Sequence, residues 1–250
     1  MTDTQFLPHR GAPLAYRHTP GAGPLLVFLP GYMSDMAGSK AEAVAAWAAA
    51  GGRACLRLDY SGCGTSGGDF LLGSIGRWTQ DALAVIDHVA PGGHVLLIGS
   101  SMGGWIGLRL GLLLGDRLAG LIGIAAAPDF TRWGLEITAA DEDALAAQGW
   151  FSRPSGYDAG GYRYSRALID DAPAQLLLGG TIAITAPVRL LHGQLDDAVP
   201  WQLSLDIAER LRSADVQVAL LKDGDHRLSR PQDIALLLAT LAQLVDEEPA

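Results

Sequence analysis

Three side chains of this sequence, Ser101, Asp196 and His226, have the types and the chain order needed for nucleophilic catalysis. A serine hydroxyl is a poor nucleophile near neutral pH and needs a base within hydrogen-bond reach. Ser101 sits in Gly99-Ser100-Ser101-Met102-Gly103, preceded by the apolar run Val95 to Ile98 and followed by an apolar-periodic stretch. Gly-x-Ser-x-Gly between a strand and a helix is the setting of a nucleophile elbow, a strained turn that exposes the hydroxyl. Glycines at 99 and 103 leave no Cβ to collide with the flanking strand and helix. In a chain with 32 glycines the pentapeptide alone decides little. Its partners decide it.

Of the six histidines, His9 and His18 fall in an early edge region, His88 near a helix end and His94 at a strand start. His226 lies in the polar loop Lys222-Asp223-Gly224-Asp225-His226-Arg227, where the order Ser…Asp…His puts the base. His192, followed by Gly193, reads as a brace for its own loop. The third member must be a carboxylate that fixes the imidazole tautomer. Asp196 and Asp197 both follow the strand before the last one, and Asp196 is the choice. Asp225 is adjacent to the histidine and badly placed, and Asp129 stands at the start of an irregular segment. Asp59 is expected to accept backbone N–H groups in its glycine-rich loop. An oxyanion needs main-chain donors. Met102, after the nucleophile, and Tyr32, after Pro30-Gly31, are the candidates.

These residues require a sheet to carry them. Apolar strands are expected at Ala12–His18, Leu25–Leu29, Arg53–Leu58, Val95–Ile98, Leu118–Ala126, Pro187–His192 and Val216–Lys222. Helices are expected at Ser39–Ala50, Ile75–Val89, after Ser101, at Trp201–Arg212 and at Pro231–Val245. That alternation predicts a doubly wound, mostly parallel sheet covered on both faces. It breaks between about 128 and 186, where Phe130, Trp133, Trp150, Phe151, Tyr157, Tyr162 and Tyr164 gather. Helices at Asp141–Gln148 and Ser165–Asp170 and a hairpin around Tyr157–Tyr164 are expected there. An insertion of this kind is read as a cap over the carboxyl edge of the sheet, where ligands bind in open α/β sheets. Trp133, Trp150 and Phe151 are its candidate substrate contacts, with a small core of the cap's own as the alternative.

The chain has 250 residues, 49% of them hydrophobic and 18% charged, which fits one domain with a large core. A formal net charge of −9 argues against nucleic acid as a partner. Only Cys55 and Cys63 occur, so no disulfide framework is implied. No apolar window is long enough to span a membrane.

The elbow, the Pro-Gly-Tyr turn, the loop Asp59-Tyr60-Ser61-Gly62 and the run His192-Gly193-x-x-Asp196-x-x-Val199-Pro200 together resemble the α/β-hydrolase superfamily. The strings Pro30-Gly31-Tyr32-Met33-Ser34, Gly103-Gly104-Trp105, Arg189 to Gly193, Asp196 to Trp201 and Asp225-His226-Arg227 are similar to a mitochondrial branch of acyl-protein thioesterases and acyl-glucuronide esterases. The resemblance implies an eight-stranded hydrolase sheet with an inserted cap. It implies hydrolysis of esters or acyl thioesters without metal or cofactor, on a small-molecule or acylated-protein substrate. Ser101 would be nucleophile, Asp196 acid and His226 base. C–C bond cleavage and peptide hydrolysis use the same residues and stay open, and a silent binding protein would need a damaged set. Epoxide hydrolases and haloalkane dehalogenases need a carboxylate at the elbow. The N-terminal residues lack the Arg/Ser-rich pattern of a transit segment, so a cytoplasmic, bacterial-type relative is expected; oligomeric state is left open.

Overall fold

The computed structural model describes residues 3–156 and 160–246. Its frame is an eight-stranded sheet built from β1 (Gln5–His9), β2 (Ala12–Thr19), β3 (Ala22–Leu29), β4 (Arg53–Leu58), β5 (Val95–Ser100), β6 (Leu118–Ile124), β9 (Val188–Gly193) and β10 (Val216–Leu221). The spatial order is β1-β2-β4-β3-β5-β6-β9-β10. β1 and β2 run antiparallel at one edge, and every pairing from β4 to β10 is parallel.

The central strands are apolar on both faces because helices cover both. Leu25, Val27 and Leu29 of β3 pack with Val95 and Leu97 of β5 against α2 (Ile75–Val89) and α3 (Met102–Leu114). On this face lies also α7 (Gln202–Arg210), through Leu203 and Ile207. Leu26, Phe28, Leu96 and Ile98 face the other way, onto α1 (Ser39–Ala50) and α8 (Pro231–Asp246). This period-2 division of one continuous apolar run is what a strand buried on both sides produces. β1 was missing from the expected strands, since Phe6 is 53% exposed and the strand carries Pro8; its register comes from pairing with β2, not from a buried face.

The chain steps from β3 outward to β4 in one direction and then to β5 in the other. The helices that follow β3 and β5 therefore diverge, and a crevice opens at the carboxyl ends of these two strands. Strained backbone gathers at this edge. Of the six non-glycine residues with positive φ among those described, Met33, Ser101, Ala125, Asp129 and Leu228 all lie in loops after parallel strands. Such conformations cost free energy and persist where the surroundings over-determine them.

Between β6 and β9 the chain forms α4 (Phe130–Trp133), α5 (Ala139–Gln148), α6 (Arg166–Asp171) and a two-stranded antiparallel ribbon of β7 (Trp150–Arg153) and β8 (Tyr162–Ser165). The hairpin is longer than expected, because its first strand begins at Trp150; Tyr157 lies outside the described residues. Asp129 joins the two ends of this segment: its carboxylate accepts the N–H groups of Leu177 at 2.9 Å and Leu178 at 2.8 Å.

Candidate active site

Ser101 caps α3 with φ +55° and ψ −118°, an unfavourable conformation for any residue with a Cβ. The turn is held by three main-chain bonds. Ser101 N–H donates to Ile124 O at 2.8 Å, while Ser101 O accepts from Gly104 at 2.8 Å and Ala127 at 3.1 Å. A Cβ on Gly103 would sit 2.1 Å from Leu29 O, and one on Gly99 2.3 Å from Gly103 O, so strand and helix meet only because both are glycine. As the first residue of α3, Met102 presents an N–H with no intrahelical acceptor, at the positive end of the helix.

The loop after β9 carries Asp196, whose side chain is buried, and the loop after β10 carries His226. His226 Nδ1 lies 2.8 Å from Asp196 Oδ2. With that nitrogen donating to the carboxylate, Nε2 is left as the acceptor. Oδ2 also receives His192 Nε2 at 3.1 Å, and Oδ1 accepts the N–H groups of Ala198 at 2.9 Å and Val199 at 2.7 Å. Burial alone would raise the Asp196 carboxyl, but the bonds from His192, His226 and Val199 outweigh it and hold it well below the usual carboxylate range. His192 is itself buried between three partners: Nε2 also faces Val199 O at 3.1 Å, and Nδ1 faces Ser204 Oγ at 2.8 Å. Two acceptors around Nε2 require the proton there, so in the neutral ring Nδ1 accepts from the Ser204 hydroxyl. His192 thus braces both its loop and the carboxylate.

The turn after β3 brings Gly31 against the elbow: a Cβ at Gly31 would stand 3.5 Å from Ser101 Cβ. Asp59 fixes this turn, accepting Met36 N–H at 2.7 Å and Thr65 N–H at 2.8 Å. Among the described residues, the Tyr32 N–H has no hydrogen-bond acceptor. Its side chain is a hub, with rings of Phe70, Trp78, Phe130, Tyr162 and Tyr164 all within 6 Å. Burial pushes the Tyr32 hydroxyl well above the usual phenol range, and it donates to Arg163 O in β8.

A cavity of about 400 Å³ joins these elements. Ser101, Met102, Tyr32 and His226 line it, whereas Asp196 stands behind His226 and does not. Phe130, Trp133, Tyr162 and Tyr164 form the wall contributed by the segment between β6 and β9. Lys40 also lines it, and its Nζ donates to Arg227 O and to Ser229 Oγ at 3.3 Å. Burial lowers its amine to about 8, a shift that Asp225 partly opposes.

The sequence pattern of the Alpha/beta hydrolase family matches residues 26–236. The chain belongs to this family. The mouse mitochondrial palmitoyl-protein thioesterase ABHD10 is 40% identical over 94% of this chain and 79% of its own length. The human protein of that name is 38% identical, covering 98% and 81% respectively. Among solved structures, a putative hydrolase from Agrobacterium vitis is similar with a TM-score of 0.91 at 38% identity, covering 98% of both chains. Mouse alpha/beta hydrolase domain-containing protein 10 follows with a TM-score of 0.89 at 39% identity, covering 98% of this chain and 99% of its own. The mouse and human thioesterases carry a mitochondrial address in their names; among the described residues of this hydrolase, no helix is long and apolar enough to cross a membrane.

For this hydrolase, the residues expected from sequence at the catalytic edge, Ser101, Asp196, His226, Tyr32 and Met102, gather around one crevice. The expected substrate contacts divide. Trp133 lines the cavity, with its Nε1–H donating to Pro128 O at 2.7 Å. Trp150 and Phe151 do not line it. Phe151 is buried with Leu135 and Leu145 and stacks on Tyr164, and Trp150 lies under the Arg163 guanidinium. Phe151 thus packs on Leu145 of α5, and Trp150, one residue earlier in β7 and so on its other face, is covered by Arg163 instead. Sequence reasoning did not select Tyr162, Tyr164 or Lys40. Alternation along β8 separates Tyr162 and Tyr164 by two residues, which was a signal that both share a face. Lys40 is one of two lysines in the chain, with Lys222, and that rarity was its only mark.

Proposed function

We propose that this hydrolase cleaves carboxylic esters and acyl thioesters through an acyl-enzyme on Ser101. The observation that carries the reading is the 2.8 Å contact from His226 Nδ1 to a buried carboxylate, in a ring that shares its cavity with Ser101. His226 Nε2 takes the Ser101 proton as Oγ attacks the acyl carbonyl. The oxyanion that forms is received by the N–H groups of Met102 and Tyr32, each worth roughly 10²- to 10³-fold in rate. Asp196 keeps the proton on Nδ1 and stabilises the imidazolium. When the tetrahedral intermediate collapses, His226 returns the proton to the leaving alcohol or thiol. Water then adds to the acyl-enzyme through the same base, and the carboxylic acid leaves.

Residues of about 128–186 act in this reading as a cap on a single domain. Phe130, Trp133, Tyr162 and Tyr164 supply the aromatic wall for the acyl group, and the Tyr32–Arg163 bond ties cap to oxyanion turn. The thioester part draws on the relatives named palmitoyl-protein thioesterase and extends to acylated small molecules or proteins as substrates. A cytoplasmic setting agrees with Cys55 and Cys63, both free and buried. The test is a series of p-nitrophenyl esters and S-acyl thioesters of increasing chain length, with and without Ser101→Ala. Turnover of both classes is expected, reduced about 10⁴-fold or more by the substitution. Retention of a tenth of the activity by Ser101→Ala would contradict the reading.

A further inference from the structure

A second cavity, of about 450 Å³, opens between α2, α3 and the turn joining β1 to β2. It shares no lining residue with the cavity of Ser101. Three arginines line it: Arg10 from the turn, Arg77 from α2 and Arg109 from α3, with Gln80 and Gln175 among the other lining residues.

Their partners set these arginines apart. Several guanidinium groups elsewhere meet carboxylates, as in Arg57–Glu42, Arg117–Asp87, Arg153–Asp141, Arg189–Asp215 and Arg230–Asp233. Others without an ion pair among the described residues, such as Arg132 and Arg212, stand exposed in solvent rather than at a cavity. Among the described residues, Arg10 and Arg109 have no hydrogen bond or ion pair, and Arg109 Nε is buried without an acceptor. Arg77 has one bond, from Nε to Ser61 Oγ at 3.0 Å, which leaves both terminal nitrogens unengaged. The nearby carboxylates are occupied otherwise. Asp81 accepts Ser61 N–H at 2.9 Å and Ser61 Oγ at 2.6 Å; Asp171 accepts Gly76 N–H at 2.7 Å and Gln175 Nε2 at 3.0 Å. In a chain of net charge −9, three arginines border this one cavity, and among the described residues none of them is paired with a carboxylate.

We propose that this cavity binds a diphosphate group, free or carried on a larger molecule. Guanidinium forks match phosphate oxygens two at a time, and a buried Nε without an acceptor is satisfied by such an oxygen. One phosphate would leave much of the charge and volume uncovered, whereas a diphosphate reaches guanidiniums on separate elements. The volume lies in the range of small-molecule sites and leaves room beyond the diphosphate, along the two glutamines. The N-terminus of α2 takes no part, because Asp171 already holds the Gly76 N–H.

The test is isothermal titration of the full-length chain with inorganic pyrophosphate and, in a second arm, ADP, at low salt and matched ionic strength. Saturable one-site binding is expected, weakened at least tenfold by Arg109→Gln and by Arg10→Gln and unchanged by Arg132→Gln, an exposed arginine outside the cavity. Equal affinity for both probes identifies the free diphosphate as sufficient, and tighter ADP binding identifies a larger carrier. Arg10 is exposed in a turn, so Arg10→Gln reports on the site even if Arg109→Gln fails to fold. Absence of binding by either probe, or affinity unaltered in a folded Arg10→Gln or Arg109→Gln protein, would overturn the proposal.

Discussion

The carboxyl edge of the sheet and the segment inserted between β6 and β9 face each other across one cavity and are built by different means. At the edge the chemical groups are fixed by hydrogen bonds, most of them to main chain. The elbow is locked by glycine contacts and three backbone bonds, and Asp196 by two N–H groups and two imidazoles. The segment relies on a small core of Leu135, Leu145 and Phe151, on Arg153–Asp141 and on clamps such as Asp129 and the Tyr32 hydroxyl. The edge is therefore rigid at the scale of a hydrogen bond, and the segment is held as a separate small unit. Under the proposed function the contrast assigns each property a place: reaction chemistry in the strand ends, selection of the acyl group in the aromatic wall.

Breaking the edge gives the largest effects. Asp196→Asn is expected to lower kcat by roughly 10³- to 10⁴-fold, because the amide no longer enforces the His226 tautomer. The same change tests linkage. The carboxyl sits below its unfolded value of about 3.9, so it adds stability above that pH and loses it as pH falls further. The stability gap between the parent protein and Asp196→Asn, measured by denaturant unfolding, is expected to shrink as pH falls below 4. A gap independent of pH would remove the paired carboxylate from the account. In the segment, Phe151→Ala is expected to cost about 3–5 kcal/mol locally. Hydrogen exchange should then accelerate in residues 135–169 while β3, β5 and β6 stay protected; equal loss in both regions would erase the distinction. The smallest effect belongs to Trp133→Ala. It is expected to lower kcat/KM for long acyl chains several-fold and to leave acetate esters within a factor of two.

The same contrast governs how much the sequence disclosed. Doubly buried strands and amphipathic helices announce themselves by period, as Ile75–Val89 does, whereas Ser39–Ala50 was legible from its alanine content and the Gly51-Gly52 stop. β1 was hidden because an exposed edge strand has no apolar alternation to read. The gathering of Ser101, Asp196 and His226 was legible because strand ends deliver them in a fixed order. The division among Trp133, Trp150 and Phe151 was not, since which face of a short ribbon meets a cavity is set by tertiary packing. The second imidazole on Asp196 was equally hidden: His192 was legible as a brace, but that it braces the carboxylate emerges only when the loop folds back.

The most direct test of the central claim is labelling by a fluorophosphonate followed by mass spectrometry of the tryptic peptide that spans residues 78–109. One adduct on Ser101, absent from Ser101→Ala and strongly slowed in His226→Ala, is the expected result. A folded protein that takes no label, or one that carries it on another serine, would contradict the account.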